Sequence, residues 1–351
     1  MTSEQATRAT APVPGVAAVR RPARVRALWL LAVLGLVLVI AVASVTIGSR
    51  DVTWSDVLAG VGGGTDGIGQ AAVAKRVPRT LLALVVGAAL GTSGAVMQGV
   101  TRNPLADPGI LGVNMGASLA IVAGIAWFSL TSASSQVWIA IAGAAVTAAG
   151  VYAIGSMGRG GATPLKLALA GAATSVALTS FISAIVLPRG DIAANVRSWQ
   201  IGGVGGATFA TLGTVLPFLV VGLLLGLASA RSLNSLALGD ELAAGLGERV
   251  AVARATAALG AVLLCGAATA ATGPIGFVGL VVPHLCRLLV GVDHRWLLPF
   301  SALSGAALLT AADVLGRVVA RPGELAVGII TALVGAPFFI SVVRRQKVRE
   351  L

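Results

Sequence analysis

The feature that most constrains this chain is an apolar run from Ala27 to Ile47 that contains no charged side chain. As a helix, about 20 such residues reach across the roughly 30 Å hydrocarbon core of a bilayer. Comparable stretches recur along the chain. With the first span placed at 28–48, the others fall near 80–99, 111–130, 137–157, 164–187, 211–229, 251–272, 275–290, 297–316 and 325–343. The runs are long rather than alternating over about 10 residues, which excludes a membrane β-barrel. Inside lipid every backbone polar group must be satisfied within the segment, so such runs are helices. The expectation is an all-α polytopic membrane protein of ten transmembrane helices in one domain, 28–351, after a disordered basic cytoplasmic tail, 1–27. Only 11% of residues are charged, less than half the roughly 25% of soluble domains. The 46 glycines supply the small residues that let membrane helices approach closely.

Charge sets orientation. The net charge of +12 is not interleaved with aromatics as a nucleic-acid surface would be, so no nucleic-acid partner is expected. An even number of spans puts both termini on one side. The termini-side segments then hold 17 of the lysines and arginines, including Arg8, Arg20, Arg21, Arg159 and Arg349, against 8 on the other. Positive residues stay inside, so both termini are expected in the cytoplasm and the chain in the cell membrane. Ala41-Val42-Ala43 has the small-x-small form of a signal-peptide cleavage site, but the apolar run continues past it and reads as a retained span. Two outward segments are long, 49–79 and 188–210. The first contains a formal G-x-G-x-x-G at Gly62–Gly67, which opens no βαβ unit and reads as a flexible loop.

Catalytic and energy-coupling signatures are missing. None of the three lysines completes a phosphate-binding G-x-x-x-x-G-K-[ST], and neither H-E-x-x-H nor G-x-S-x-G occurs. Cys265 and Cys286 lie in apolar segments and read as small core residues. An ion-coupled secondary transporter, the alternative of another class, needs carboxylates at mid-membrane, and Asp240, Glu241 and Glu248 lie instead in an inward segment.

Helix breakers mark special places. Pro104, Pro108 and Gly109 forbid a continuous helix between the second and third spans, where Arg102, Asn103 and Asp107 offer polar side chains. Either a simple turn or a gate satisfies that pattern. Gly273-Pro274 and Pro283-His284 are expected to break the second half similarly, with His284 as a hydrogen-bonded helix-end histidine. Ala88-Ala89-Leu90-Gly91 recurs as Ala257-Ala258-Leu259-Gly260, a loose repeat five spans apart.

Six stretches together carry a family resemblance: RVPRT (76–80), GAALGTSGAVMQGVTRNPLADPGILGVNMGA (87–117), WQIGG (199–203), LALGDELAAGLG (236–247), GPIGFVGLVVPHLCRLLVG (273–291) and TALVGAPFFI (331–340). They resemble the FecCD-type permeases, membrane subunits of ABC importers for iron–siderophore, haem and vitamin B12. The resemblance implies a type II ABC importer (vitamin B12 permease-like) fold and a transport subunit rather than an enzyme. It also implies a second permease chain (homodimer or heterodimer), two cytoplasmic ATPase subunits and an extracytoplasmic substrate-binding protein. No cofactor is expected on this chain; ATP and Mg belong to the ATPase. The cargo implied is an iron–siderophore chelate moved by alternating access, with cobalamin or haem as alternatives.

Site residues follow from the same resemblance. Arg76, Arg79 and Arg317 match positions that dock the binding protein, contact with lipid headgroups being the other reading of the first two. Asp313, four residues before Arg317, is placed to pair with it. Asp240, Glu241, Ala244, Leu246 and Gly247 fall in a coupling helix that ends at Gly245 or Gly247. Gln98, Arg102, Asn103, Pro104, Asp107, Pro108, Gly273, Pro274, Pro283 and His284 are assigned to the gate and pathway. Thr174, Ser175 and Ser180 are pathway hydroxyls, although buried Ser and Thr equally bond their own helix.

Overall fold

Helix boundaries follow the punctuation of the sequence. The computed structural model describes residues 22–130, 132–157 and 163–347. The expected tail up to residue 21 therefore lies outside the described residues, as do Arg8, Arg20, Arg21, Arg159 and Arg349 of the charge count. The helices are α1 (Ala23–Thr46), α2 (Trp54–Val61), α3 (Ile68–Thr101), α4 (Val113–Phe128), α5 (Ala133–Ser156), α6 (Pro164–Val186) and α7 (Gly190–Ile201). They continue with α8 (Phe209–Ala228), α9 (Ala230–Leu236), α10 (Asp240–Gly245), α11 (Val250–Thr272), α12 (Val278–Val290), α13 (His294–Val319) and α14 (Val327–Lys347). Thr53, Ser132, Thr163, Thr208 and Asp293 each accept a backbone N–H at a helix start, satisfying donors the helix leaves free.

Each of the ten expected spans corresponds to one helix. Among the described residues, seven are long and apolar enough to cross a membrane, and α4, α12 and the apolar part of α14 are shorter. Three expectations need correction. The second span begins at Ile68, not near residue 80, and runs 34 residues through Pro78, about 51 Å at 1.5 Å per residue. The first long outward segment, read as a flexible loop, carries α2, with Gly60 of the glycine-rich stretch packed against Val73, and the second carries α7. Helix α12 continues through Pro283; only Gly273, at φ 73°, and the non-helical residues up to Phe277 break the chain there.

The core is built by close approach. Helices α3 and α13 share the most extensive packing. Gly87 and Gly91 of α3 face the backbone of Gly305 and Ser301 so closely that a methyl group on either glycine would meet a carbonyl oxygen. Gly94 meets Gly279 of α12 in the same way, and Gly260 of the repeated tetrapeptide packs beside Gly222 of α8. Helices α1 and α6 both lie at the periphery, with different faces. Exposed positions of α1, such as Leu31, Leu38 and Val42, are apolar, whereas α6 also exposes Thr179, Ser180 and Ser183.

Candidate functional site

Three of the sequence-predicted arginines meet at the end of the bundle that carries α2 and α7. The last carbonyls of α1 have no partner within their own helix. Arg76 donates to the carbonyls of Thr46 at 2.9 Å and Arg50 at 2.6 Å; Arg317 donates to those of Ser44 at 2.8 Å and Ile47 at 3.0 Å. Arg317 also pairs with Asp313 at 3.0 Å, both side chains being 1% exposed. Arg79 grips Asp313 through Nε and Nη2, at 3.0 and 2.8 Å, and reaches Glu324 through Nη1 at 2.6 Å. Burial pushes the Glu324 carboxyl up, but the Arg79 hydrogen bond and charge outweigh it and hold the group below its ordinary value. The side chains are thus not free surface charges: Arg76 and Arg317 are buried. They nevertheless line a recess of about 440 Å³, together with Arg50, Lys75, Arg79 and Glu324.

At the opposite end, α3 stops where Arg102 takes a left-handed conformation, φ 52°. Asn103 Oδ1 accepts Leu105 N–H at 2.9 Å, and Asp107 Oδ1 caps a 3-10 turn, Pro108–Leu111, through Gly109 N–H at 2.8 Å. Side chains therefore replace the interrupted backbone bonds. Arg102 instead reaches Asp240, the first residue of α10, at 3.3 Å, and Arg254 of α11 holds the same carboxylate at 2.8 Å. A short helix does occupy this segment, α10, followed by Gly247 at φ 86°. Its Ala243 is buried, while Glu241, Ala244, Leu246 and Gly247 are exposed. Leu242 on α10 is exposed, as are Leu238 just before the helix and Leu246 just after it, so three apolar side chains lie open around α10. Of these, motif matching singles out only Leu246.

Between the two ends, Gln98 Nε2 donates to the Gly279 carbonyl at 3.2 Å, and Arg287 donates to Gln98 Oε1. His284 is not at a helix end: it lies inside α12, edge-on to Phe338 with ring centres 5.7 Å apart. The helix-end histidine is His294, whose Nδ1 and backbone N both lie 2.9 Å from Asn234 Oδ1. Asp107 lies beside Gly279, which brings the first broken segment against the second. Ser175 and Ser180 line a cavity of about 430 Å³ with Gly109, Asn114, Met115, Val176 and Thr179; Thr174 is not part of it. The hydroxyls of Thr179 and Ser180 bond their own helix, to Ser175 O and Val176 O. Gly273 and Pro274 contact the segment around Trp199 and Gly202 at the α2 end, away from the Arg102–Asp107 turn. No group of three or more His, Cys, Asp or Glu side chains placed to hold a metal occurs among the described residues, and both cysteines are free and buried.

Comparison with known proteins decides what this arrangement is. Residues 36–345 match the FecCD transport family. The chain belongs to that family. Its similarity to the ferric enterobactin transport system permease protein FepD of Escherichia coli K12 is 46% identity over 321 residues, 90% of this chain and 96% of the relative. The hemin transport system permease protein HmuU of Yersinia pestis is 41% identical over 78% of this chain and 82% of its own. The cobalamin import system permease protein BtuC of Halobacterium salinarum is 44% identical over 79% and 74%. A solved structure described as an inward-facing conformation of a metal-chelate type ABC transporter matches with a TM-score of 0.79 and 29% identity, covering 91% of this chain and 99% of that one. This FecCD permease is therefore a multi-pass membrane subunit of an ABC importer, a transport subunit and not a catalytic enzyme. Family membership replaces the ion-coupled alternative, and FecCD permeases work within complexes of paired permeases, ATPases and binding proteins.

Proposed function

We propose that this FecCD permease carries iron–siderophore chelates inward across the cytoplasmic membrane, by alternating access, as one of two permease chains seated on two ATPase subunits. The observation that carries the cargo is the similarity to permeases named for ferric enterobactin, iron(3+)-hydroxamate and Fe(3+)-citrate. The end with α9 and α10 faces the cytoplasm, in keeping with the 17-to-8 distribution of basic residues. There the exposed leucines in and beside α10, with Glu241, Ala244 and Gly247, seat in a groove of the ATPase, and Asp240 links α10 to the Arg102–Asp107 turn at the gate.

At the outer end, the recess lined by Arg76, Arg79 and Arg317 receives an acidic group of the binding protein; the burial of Arg76 and Arg317 in a recess supports that reading over contact with lipid headgroups. The hydroxyl-bearing face of α6 lines the pathway opposite the second permease chain; the cavity that Ser175, Thr179 and Ser180 line supports that reading.

The test is uptake by proteoliposomes holding the permease, its ATPase and its binding protein. Radiolabelled ferric siderophore accumulates when ATP is supplied. Accumulation of cobalamin or haem in its place would reassign the cargo, and uptake driven by an ion gradient without ATP would sink the mechanism.

A further inference from the structure

Two carboxylates share the Arg79 guanidinium, and they are held differently. Asp313 lies on α13, is 1% exposed, and is tied to Arg317 as well. Glu324 lies on the turn between α13 and α14 with its side chain 37% exposed, held by Arg79 Nη1 at 2.6 Å and Ser49 Oγ at 3.0 Å. Among the described residues lining the 440 Å³ recess, Glu324 is the one acidic side chain, facing Arg50, Lys75, Arg76, Arg79 and Arg317.

We infer that Glu324 is an internal occupant of a carboxylate site, filling the place on Arg79 that an Asp or Glu of an acidic protein partner takes on docking. The inference rests on the docking reading above. Geometry makes the two compete. Asp313 already occupies Nε and Nη2, so Nη1 is the edge of the guanidinium left for a second carboxylate. The Asp313 pair is fully enclosed and stays; the Glu324 pair reaches solvent, and exposed pairs are weak enough to exchange. Removing Glu324 from the recess leaves five basic groups with no acid among its lining residues, a strong attraction for an incoming anion.

The turn itself need not move. Leu325 N–H is bonded to Gly316 O at 3.1 Å and Gly328 N–H to Gly202 O at 3.1 Å, so the backbone directly after the exchanging side chain is fixed. Arg79 and Glu324 also line a larger cavity of about 770 Å³ among α4, α5, α7, α8 and α11. The pair, with Gly205, is thus common to the linings of two hollows.

The test uses the full chain in lipid nanodiscs and a fluorescent hexaglutamate peptide as the acidic probe. Wild type binds it weakly and loses it with added salt. Both Glu324→Gln and Glu324→Ala bind roughly two- to fivefold more tightly, the range expected from removing one exposed competitor, and Arg79→Gln loses binding. If neither Glu324 variant gains affinity while Arg79→Gln still loses it, Glu324 is a structural strap and the inference falls, with docking at the arginines intact. If Arg79→Gln binds the peptide as wild type does, the docking reading falls and this inference falls with it.

Discussion

At the α2 end the arginines are turned inward, with Arg76 and Arg317 donating to the last carbonyls of α1 and Arg79 gripping Asp313. At the α10 end the leucines are turned outward, with Leu238, Leu242 and Leu246 exposed above a single buried alanine, Ala243. The first region satisfies its own polar groups, so a partner that meets it must exchange with a bond already made, such as Arg79–Glu324. The second leaves three apolar side chains open and is finished only when another surface covers them. The difference separates an end whose charges are already paired from an end whose apolar side chains are not yet covered.

The largest effect expected from this contrast is at Arg317. Replacing it with alanine strips Asp313 of one of two cations and leaves the Ser44 and Ile47 carbonyls without their donor. Breaking a buried pair costs about 3–5 kcal/mol, so detergent-solubilised Arg317→Ala protein should melt well below wild type or fail to stay monodisperse. An unchanged melting temperature would break the comparison at its first term. Next in size is Leu242→Asp. Its melting should match wild type, while retention of the ATPase in a pull-down should fall by roughly thirtyfold, about 2 kcal/mol for a central interface anchor. Full retention would mean that these leucines meet something other than the ATPase.

The smallest effect belongs to Asp240→Asn, which weakens two partly exposed pairs, with Arg102 and Arg254, each worth about 0.2–1 kcal/mol. ATPase binding should persist, but substrate moved per ATP hydrolysed should drop, because α10 no longer holds the turn after α3. An unaltered ratio would reduce those pairs to local packing.

Seven membrane-length helices were legible because their apolar runs are long enough to exclude any other solution in lipid, and the shorter α4, α12 and α14 because their runs are apolar throughout or nearly so. The first 12 residues of α3 were not legible: IGQAAVAKRVPR holds Pro78 and three basic side chains, a pattern that reads as a helix boundary. Packing against α2 supports that extension, and packing between elements leaves no periodic trace. The bonding of the arginines was hidden for a related reason. Their partners are backbone carbonyls some 30 residues away for Arg76 and 270 or more for Arg317, and a carbonyl carries no sequence signature. The Asp313–Arg317 pair, by contrast, is local and readable from spacing alone. The exposure of Leu238, Leu242 and Leu246 was not, because a six-residue helix between two glycines sets which side chains stay open. Pro283 misleads because proline within a membrane helix is tolerated where neighbouring helices compensate.

The backbone contact between α3 and α13 limits what this permease can do as a machine. Where Gly87 and Gly91 sit against Gly305 and Ser301, no side chain lies between the helices to change rotamer and absorb a shift. Sliding one along the other drives atoms with no slack into each other, so the two travel as a single strut. What they carry travels with them: Arg79 and Gln98 on one, Asp313 and His294 on the other. A displacement applied near the start of α13 thus reaches the arginine cluster at the far end of the bundle undiminished, with no relay of side chains in between.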